Sequence, residues 1–541
     1  MAKAHVAPDA IELTYSLAEL PTSQHRAGLV GLVLVIEELQ RIGQSGLEVE
    51  VSEDGARVRF DEAGLGAILN EIYAASEEFQ GRDAPLKGVE PSEIRVEVVL
   101  DKKGKEKLKK VYVYPVIVPR GSFLGSYDSS ENGAWIKLWR AMIWQILRGV
   151  PATRKPFDDR AHGLAPADIA TVWKQLNQDR ERSIDLPSTY FLGAQAFNAE
   201  RVPFKDNGRA QFLLHFWPFV CQVYVPQRVD REGKRSFDGF AIAVPDVSRL
   251  RSFCADYKMV LDDRAPATSG YRPREAIIEI PEEAGLDTVR RLNRAVSEAE
   301  GKSVTADIVF GVDVFHMLKD GNNVRVLYCG RVEPEHDRDQ EYVSLKSMLF
   351  DSSFKRRRLL NLVYGRDWYS GFDFLLSMLP LETGLCSPYF AHDARVSIQT
   401  ESANRRVKMR VASGEQSTKD DVCLEELVLK IVDSYVRQKL RDKYGLEWSK
   451  LDGDGKKRAE YNERREGIGK ECFYAIRSRT GEDFIGYFAS TICSVPHWMT
   501  QEEYACITRT LYEETEKVRT LSMLALSARI GRERKEEQVD G

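Results

Sequence analysis

The spacing of apolar residues changes character near Thr400, and this change restricts the fold more than any single motif does. Upstream, short alternating runs are interleaved with helical patterns; downstream, helical spacing continues with few breaks. The expected architecture is α+β, with a mixed N-terminal and middle region over residues 1–400 and an all-helical bundle over residues 401–541. A chain of 541 residues is too long for one core of ordinary size, so more than one domain is required.

In the upstream part, Thr22 or Ser23 caps a helix that runs to about Arg41, and apolar residues cover every side of it over 29–36, which predicts burial. Alternation over 47–51 and 57–60, joined by Asp54-Gly55, predicts a hairpin. A helix is expected over 65–79, then paired strands over 94–100 and 111–118. The link between these strands holds six lysines (Lys102, Lys103, Lys105, Lys107, Lys109 and Lys110) against Asp101 and Glu106. It reads either as a loop tip charged to stay solvated or as a cationic finger for a phosphate backbone. Trp135, Leu138, Trp139, Met142, Ile143, Ile146 and Leu147 fall at helical spacing. Further strands are expected over 212–225, 240–244, 276–280 and 324–329, with helices over 288–299 and 343–362.

In the downstream part, residues 413–421 are polar and linker-like, and Met409 lies just before them. Leu424, Leu427, Val428, Ile431, Val432, Tyr435, Val436 and Leu440 then describe a helix stopped by Gly445. A basic stretch leads into more helix through Arg479, and Thr500 with Glu503 forms a capping box for a long helix ending near Gly531, after which a charged, frayed tail is expected.

Composition narrows the function classes. With 43% hydrophobic and 30% charged residues the chain is a folded protein, and a net charge of −5 excludes a uniformly cationic coat while allowing local basic surfaces. Eight scattered cysteines form no Cys-x-x-Cys pair, which predicts reduced thiols and a cytoplasmic location. No signal peptide is read, and the apolar run over 27–36 is too short to span a bilayer, so no membrane association is expected.

Catalytic motifs are sparse. Phosphate loops, dinucleotide fingerprints, nucleophile elbows and His-Glu-x-x-His are missing from the sequence, so no catalytic site and no cofactor are expected. His336-Asp337 and His392-Asp393 have the form used by metal-dependent phosphohydrolases but lack partner motifs. Asp452-Gly453-Asp454-Gly455 reads as a turn rather than a calcium loop, and Phe354-Lys355-Arg356-Arg357-Arg358 as a solvated helix face or a nucleic-acid contact. A non-catalytic binding role leads; a metal-dependent nuclease of His-Asp type and a protein-only scaffold are the alternatives.

Three stretches carry a family resemblance: 15–29, with Pro21, Gln24, His25, Arg26 and Gly28; 119–157, with Arg120-Gly121-Ser122-Phe123, Trp135, Trp139 and Thr153-Arg154-Lys155-Pro156-Phe157; and 190–218, with Gly193, Gln195, Asn198, Glu200 and His215-Phe216-Trp217-Pro218. In these the chain resembles the large subunit of the MYXAN subtype of type I CRISPR Cascade complexes. The resemblance implies that guide RNA reads the target while the protein reads a short adjacent motif in duplex DNA and stabilises the opened strands. It implies as partners guide RNA, target double-stranded DNA, the displaced single strand, the other backbone subunits, a small subunit and a helicase-nuclease or transposition adaptor. Candidates for the adjacent motif are the six lysines and the 120–132 loop with Arg120, Ser122 and Asn132, then Gln195 and Asn198; Gln24-His25 reads equally as a buried helix start. Candidates for the displaced strand are Lys456, Lys457, Arg458, Arg464, Arg465, Arg477 and Arg479 near Tyr461 and Tyr474, or else these form an ordinary solvated face.

Overall fold

The computed structural model describes residues 10–100, 106–147, 151–178, 183–185, 192, 205–230, 234–300, 305–321, 323–413, 422–451, 455–494 and 498–530. The chain is α+β and packs into two compact units. The first comprises 1–227 with 237–339, and the second comprises 340–541 with 228–236.

In the first unit, β1 (Ile11–Ser16) precedes α1 (Ser23–Arg41), β2 (Leu47–Val51), β3 (Gly55–Phe60) and α2 (Glu62–Ile72). The β2–β3 hairpin turns at Asp54-Gly55 as expected, and β1 completes a β1-β3-β2 sheet. Helix α1 is buried on nearly every side. It meets the 213–216 turn so closely that a Cβ on Gly28 or Gly31 would lie 2.3 Å from a backbone oxygen of Leu213 or Phe216. Residues 65–79 are not one helix: α2 ends at Ile72 and β4 (Ala75–Arg82) begins, because Phe79 pairs in extended register with Pro115 of the next sheet. That sheet has the order β4-β6-β5, with β5 (Glu93–Leu100) and β6 (Glu106–Pro119) forming a long hairpin.

Helix α3 (Ala134–Met142) continues into a π-helical turn over Ile143–Leu147. After α4 (Pro151–Ala161), α5 (Asp168–Leu176) and the short pair β7 (Ser183–Asp185) and β8 (Lys205–Asn207), residues 212–225 again depart from the expected strand. They form α6 (Gly208–Leu213), a single turn at Trp217–Phe219 and only then β9 (Gln222–Val229), since Pro218 lacks the donor a ladder needs. The larger sheet adds β10 (Arg235–Phe237), β11 (Phe240–Val247), β15 (Val309–Asp320) and β16 (Asn323–Val332), with β14 (Ile277–Ile278) parallel to β9. Helices α7 (Leu250–Asp262), α8 (Glu283–Glu300) and α9 (Thr305–Ile308) and the small hairpin of β12 (Thr268–Ser269) with β13 (Arg272–Pro273) fill the connections. Of the 276–280 strand only Ile277–Ile278 pairs, whereas β15, unread in the sequence, is a central strand.

The second unit is helical. It contains α10 (His336–Met348, its first residues in the first unit), α11 (Ser352–Val363), α12 (Phe372–Met378), α13 (Pro388–Ser413), α14 (Leu424–Tyr444), α15 (Gly455–Arg477), α16 (Gly481–Tyr487), α17 (Gln501–Glu513) and α18 (Thr515–Ile530). The single helix expected over 343–362 is broken by Asp351, whose carboxylate caps α11 at Phe354 N. The capping box at Thr500 and Glu503 is present, but the long helix it opens ends at Glu513 and restarts as α18. Helix α18 is the bundle's centre: its residues from Val518 to Ala528 are all buried, and α12 to α17 pack around it. Helix α13 runs across position 400 and includes Met409, so the sequence's change of character falls inside a helix. Residues 414–421 and 531–541 lie outside the described residues.

Candidate nucleic-acid interfaces

The first unit carries the residues proposed for the adjacent motif. Of the six lysines, Lys102, Lys103 and Lys105 lie outside the described residues, as do Gln195 and Asn198. Lys107, Lys109 and Lys110 are not in a loop: they belong to β6, opposite Val99, Glu97 and Val96. Strand alternation sends Lys107 and Lys109 to one face and Lys110 to the other. Lys109 pairs with Asp83 at 2.7 Å and faces Glu97, so part of this positive charge is balanced within the sheet.

Arg120 is exposed and follows β6 directly, its N–H bonded to Ala74 O at 2.8 Å. Ser122 and Asn132 both adopt left-handed backbone, with φ of 48° and 62°. Between them, Asp128 accepts bonds from Ser130 N at 3.0 Å, from the Ser130 hydroxyl and from Ile136 N at 2.9 Å, while Ser130 Oγ accepts Ala134 N at 2.7 Å. The bonds to Ala134 N and Ile136 N satisfy two of the orphan donors at the start of α3. Arg140 clamps the other side by donating to Pro119 O at 2.6 Å, and burial lowers its pKa. The 120–132 loop is thus a braced platform that presents Arg120 and Asn132 to solvent, while the Ser122 hydroxyl is buried without a hydrogen-bond partner.

Much of the family-like sequence is structural. Gln24 and His25 are buried; Gln24 accepts Leu192 N, and His25 bridges Thr22 and Asp206. Trp135 and Trp139 donate to Ala265 O and Pro218 O, and His215 bonds the Tyr73 hydroxyl at 2.6 Å.

The second unit holds a groove of about 1410 Å³ between α13, α14, α15 and the end of α18. Seven basic side chains line it (Arg395, Arg437, Arg441, Arg464, Arg465, Lys470 and Arg529) against five acids (Asp433, Glu447, Glu463, Glu466 and Glu471). Asp433 is shared, 2.9 Å from Arg437 and 3.3 Å from Arg529. Burial lowers the Arg529 pKa, and nearby Arg437, Arg395 and Arg465 depress it further against the pull of Asp433. Arg465 Nε is buried without a hydrogen-bond partner. Such crowding of guanidinium groups favours a bound anion. At the mouth, half-exposed Trp448 and Tyr444 present aromatic faces, with Arg458 over Trp448 at 5.7 Å and Arg464 over Tyr444 at 4.9 Å.

The groove thus takes in Arg464 and Arg465, with Arg458 beside its Trp448 wall. Lys456 and Lys457 sit exposed at the same end of α15. Arg477 lies about 18 Å beyond Arg465 along the helix axis at 1.5 Å per residue, and Arg479 caps Ala475 O beside Tyr487. Tyr461 is buried edge-on to Trp448, whereas Tyr474 is exposed. Sequence reasoning missed Arg395, Arg437, Arg529, Tyr444 and Trp448, which come from four separate segments; only the pairing of Tyr444 and Trp448 just before a basic helix was a local signal.

The His-Asp dipeptides have other surroundings. Asp393 is fully buried, and its oxygens accept the Phe350 and Asp351 N–H groups at 2.9 and 2.7 Å, which ties down the turn before α11. His336 and Asp337 lie in the first turn of α10. In the basic run, Arg358 is buried between Glu341 and Glu401 over Trp368. Among the described residues no group of three or more His, Cys, Asp or Glu is placed to hold a metal ion, and no helix is long and apolar enough to cross a membrane.

Residues 47–302 match the family model of the type I-B CRISPR Cas8b N-terminal domain, and residues 309–529 match that of the Cas8b C-terminal domain. The chain belongs to the type I CRISPR large-subunit family. Membership implies that this large subunit assembles with other Cas subunits and a CRISPR RNA in an interference complex. No curated protein matches the large subunit's sequence. The two matched stretches meet at 302–309, upstream of the unit boundary, so β15 and β16 belong to the C-terminal family domain yet complete the sheet of the first unit.

Proposed function

We propose that this large subunit is a non-catalytic DNA-recognition component of an RNA-guided Cascade complex, acting in antiviral defence. It reads the protospacer-adjacent motif in duplex DNA, stabilises the R-loop, and helps recruit a helicase-nuclease or a transposition adaptor. On the resemblance of its three N-terminal stretches we place it with the MYXAN subtype. Guide RNA, target duplex, displaced strand, backbone subunits and a small subunit are its partners, and residues 401–541 act as the small-subunit-like part.

The observation that carries this reading is the arginine groove with its aromatic rim. A displaced strand offers phosphates and unpaired bases together, and only a site with both guanidinium groups and open aromatic faces meets both. Arg437, Arg465 and Arg529 supply the first; Trp448 and Tyr444 supply the second. The braced loop with Arg120 and Asn132 is the partner site for duplex DNA, and Lys107 on the charged face of β6 adds positive charge in the same unit.

The test is footprinting of the displaced strand in the assembled complex on matched duplex DNA. Replacing Arg437, Arg465 and Trp448 by alanine should expose that strand to single-strand-specific nuclease while guide RNA content stays unchanged. Replacing Arg120 and Asn132 by alanine should weaken binding before any strand opens. Full protection in the first variant would remove the groove from the pathway of the displaced strand.

A further inference from the structure

The β5–β6 hairpin has two unlike faces. Beyond Arg82↔Tyr112, β4 no longer pairs, and β5 and β6 continue as a two-stranded ribbon from Arg95↔Val111 to Leu100↔Glu106, about 17 Å at 3.3 Å per residue. One face carries Glu93, Arg95, Glu97, Lys107 and Lys109, with Val111 and Val113 buried towards its base. The other carries Ile94, Val96, Val98 and Leu108, which are 54%, 59%, 60% and 71% exposed. Val98 lies directly opposite Leu108, and Val96 is diagonal to it, so these side chains form one continuous strip.

Two-stranded ribbons are marginal in water unless their apolar face is covered, and this strip is uncovered in the isolated chain. Four aliphatic groups gain nothing from phosphates, so the face does not suit the DNA contact its lysines suggest; it suits another apolar surface. Its charge defines that surface further. Lys110 sits within the strip opposite Val96, and Arg82 lies opposite Tyr112 at its base, against Glu106 alone at the far end. A second copy bringing the same face would set the lysine and arginine against a surface equally poor in acids.

We propose that the aliphatic face of the β5–β6 ribbon is a docking surface for another protein subunit of the same ribonucleoprotein complex, one presenting an apolar patch with a carboxylate placed to meet Lys110. The outer part of the charged face, with Glu97 and Lys107, remains open to solvent.

The test uses the full-length chain with Ile94→Thr, Val96→Thr, Val98→Thr and Leu108→Thr combined, since threonine keeps the strand preference while removing apolar area. It is co-expressed with the other subunits of the complex and guide RNA, and its share of the purified particle is read by native mass spectrometry. Incorporation should fall by at least about tenfold, with the melting temperature of the isolated chain unchanged. Lys110→Glu, which leaves the strip intact, should lower incorporation several-fold and decides the matter if the fourfold variant does not fold. Normal incorporation of both variants would overturn the proposal. So would a wild-type chain that dimerises alone through this face, or variants that assemble fully but lose DNA binding.

Discussion

Arg291 is 1% exposed and lies between Asp287 Oδ2 at 2.8 Å, the Glu275 carboxylate and the Asp263 carbonyl, beneath the Trp135 ring. Asp287 has no exposed surface and also accepts the Tyr224 hydroxyl at 3.0 Å. Replacing Arg291 by methionine leaves that buried carboxylate without its main counter-charge, which should cost about 3–5 kcal/mol in urea unfolding. Asp339 is the opposite case. Its carboxyl is buried with one oxygen unpartnered, and burial raises its pKa to about 7 despite Arg290 and Arg338. A carboxyl with a raised folded pKa favours folding fully below its unfolded value near 4 and loses that contribution as pH rises through about 7. Asp339→Asn should therefore stabilise the protein at pH 8, on the order of 3 kcal/mol, and change little at pH 4. A melting-temperature difference that does not vary with pH would contradict this.

At the scale of elements, α15 shows what periodicity can and cannot supply. Its basic residues were legible as a group, and its span from Gly455 to Arg477 follows from unbroken helical character. Their division was not, because which turn of a helix faces a groove depends on neighbours distant in the chain. Arg464 and Arg465 face α14 and the end of α18, whereas Arg477 lies at the far end. Single-stranded DNA binding should follow this division. The salt slope of the affinity should fall by about 0.7 for each phosphate contact removed in Arg437→Ala with Arg465→Ala. It should stay unchanged in Arg477→Ala with Arg479→Ala, and equal effects would mean a diffuse basic surface. The 65–79 and 212–225 segments were misread for a related reason: short apolar runs fit helix and strand alike, and pairing with β6 or the break at Pro218 settled them.

For the whole molecule, the family domains and the compact units do not share a boundary. The C-terminal family domain begins near 309, but β15 bonds β11 along its length, from Phe240↔Met317 to Val247↔Val309. A fragment of residues 340–530 should therefore run as a monodisperse helical species on size-exclusion chromatography. A fragment of residues 303–530 carries β15 and β16 stripped of β11 and should aggregate through the open edge. Equal behaviour of the two would mean that the hairpin is stable without its sheet.

The α+β character, the buried α1, the β2–β3 hairpin, the capping box at Thr500 and the helix stop at Gly445 were legible along the chain, because each depends on spacing or on one residue's backbone chemistry. It took the folded chain to show that Lys110 sits among exposed aliphatics on the ribbon, that Gln24 and His25 are core residues, and that one groove gathers Arg395, Arg437, Arg465 and Arg529. The physical reason is range: local periodicity acts over one or two turns, whereas burial and charge clustering are set by segments tens to hundreds of residues apart.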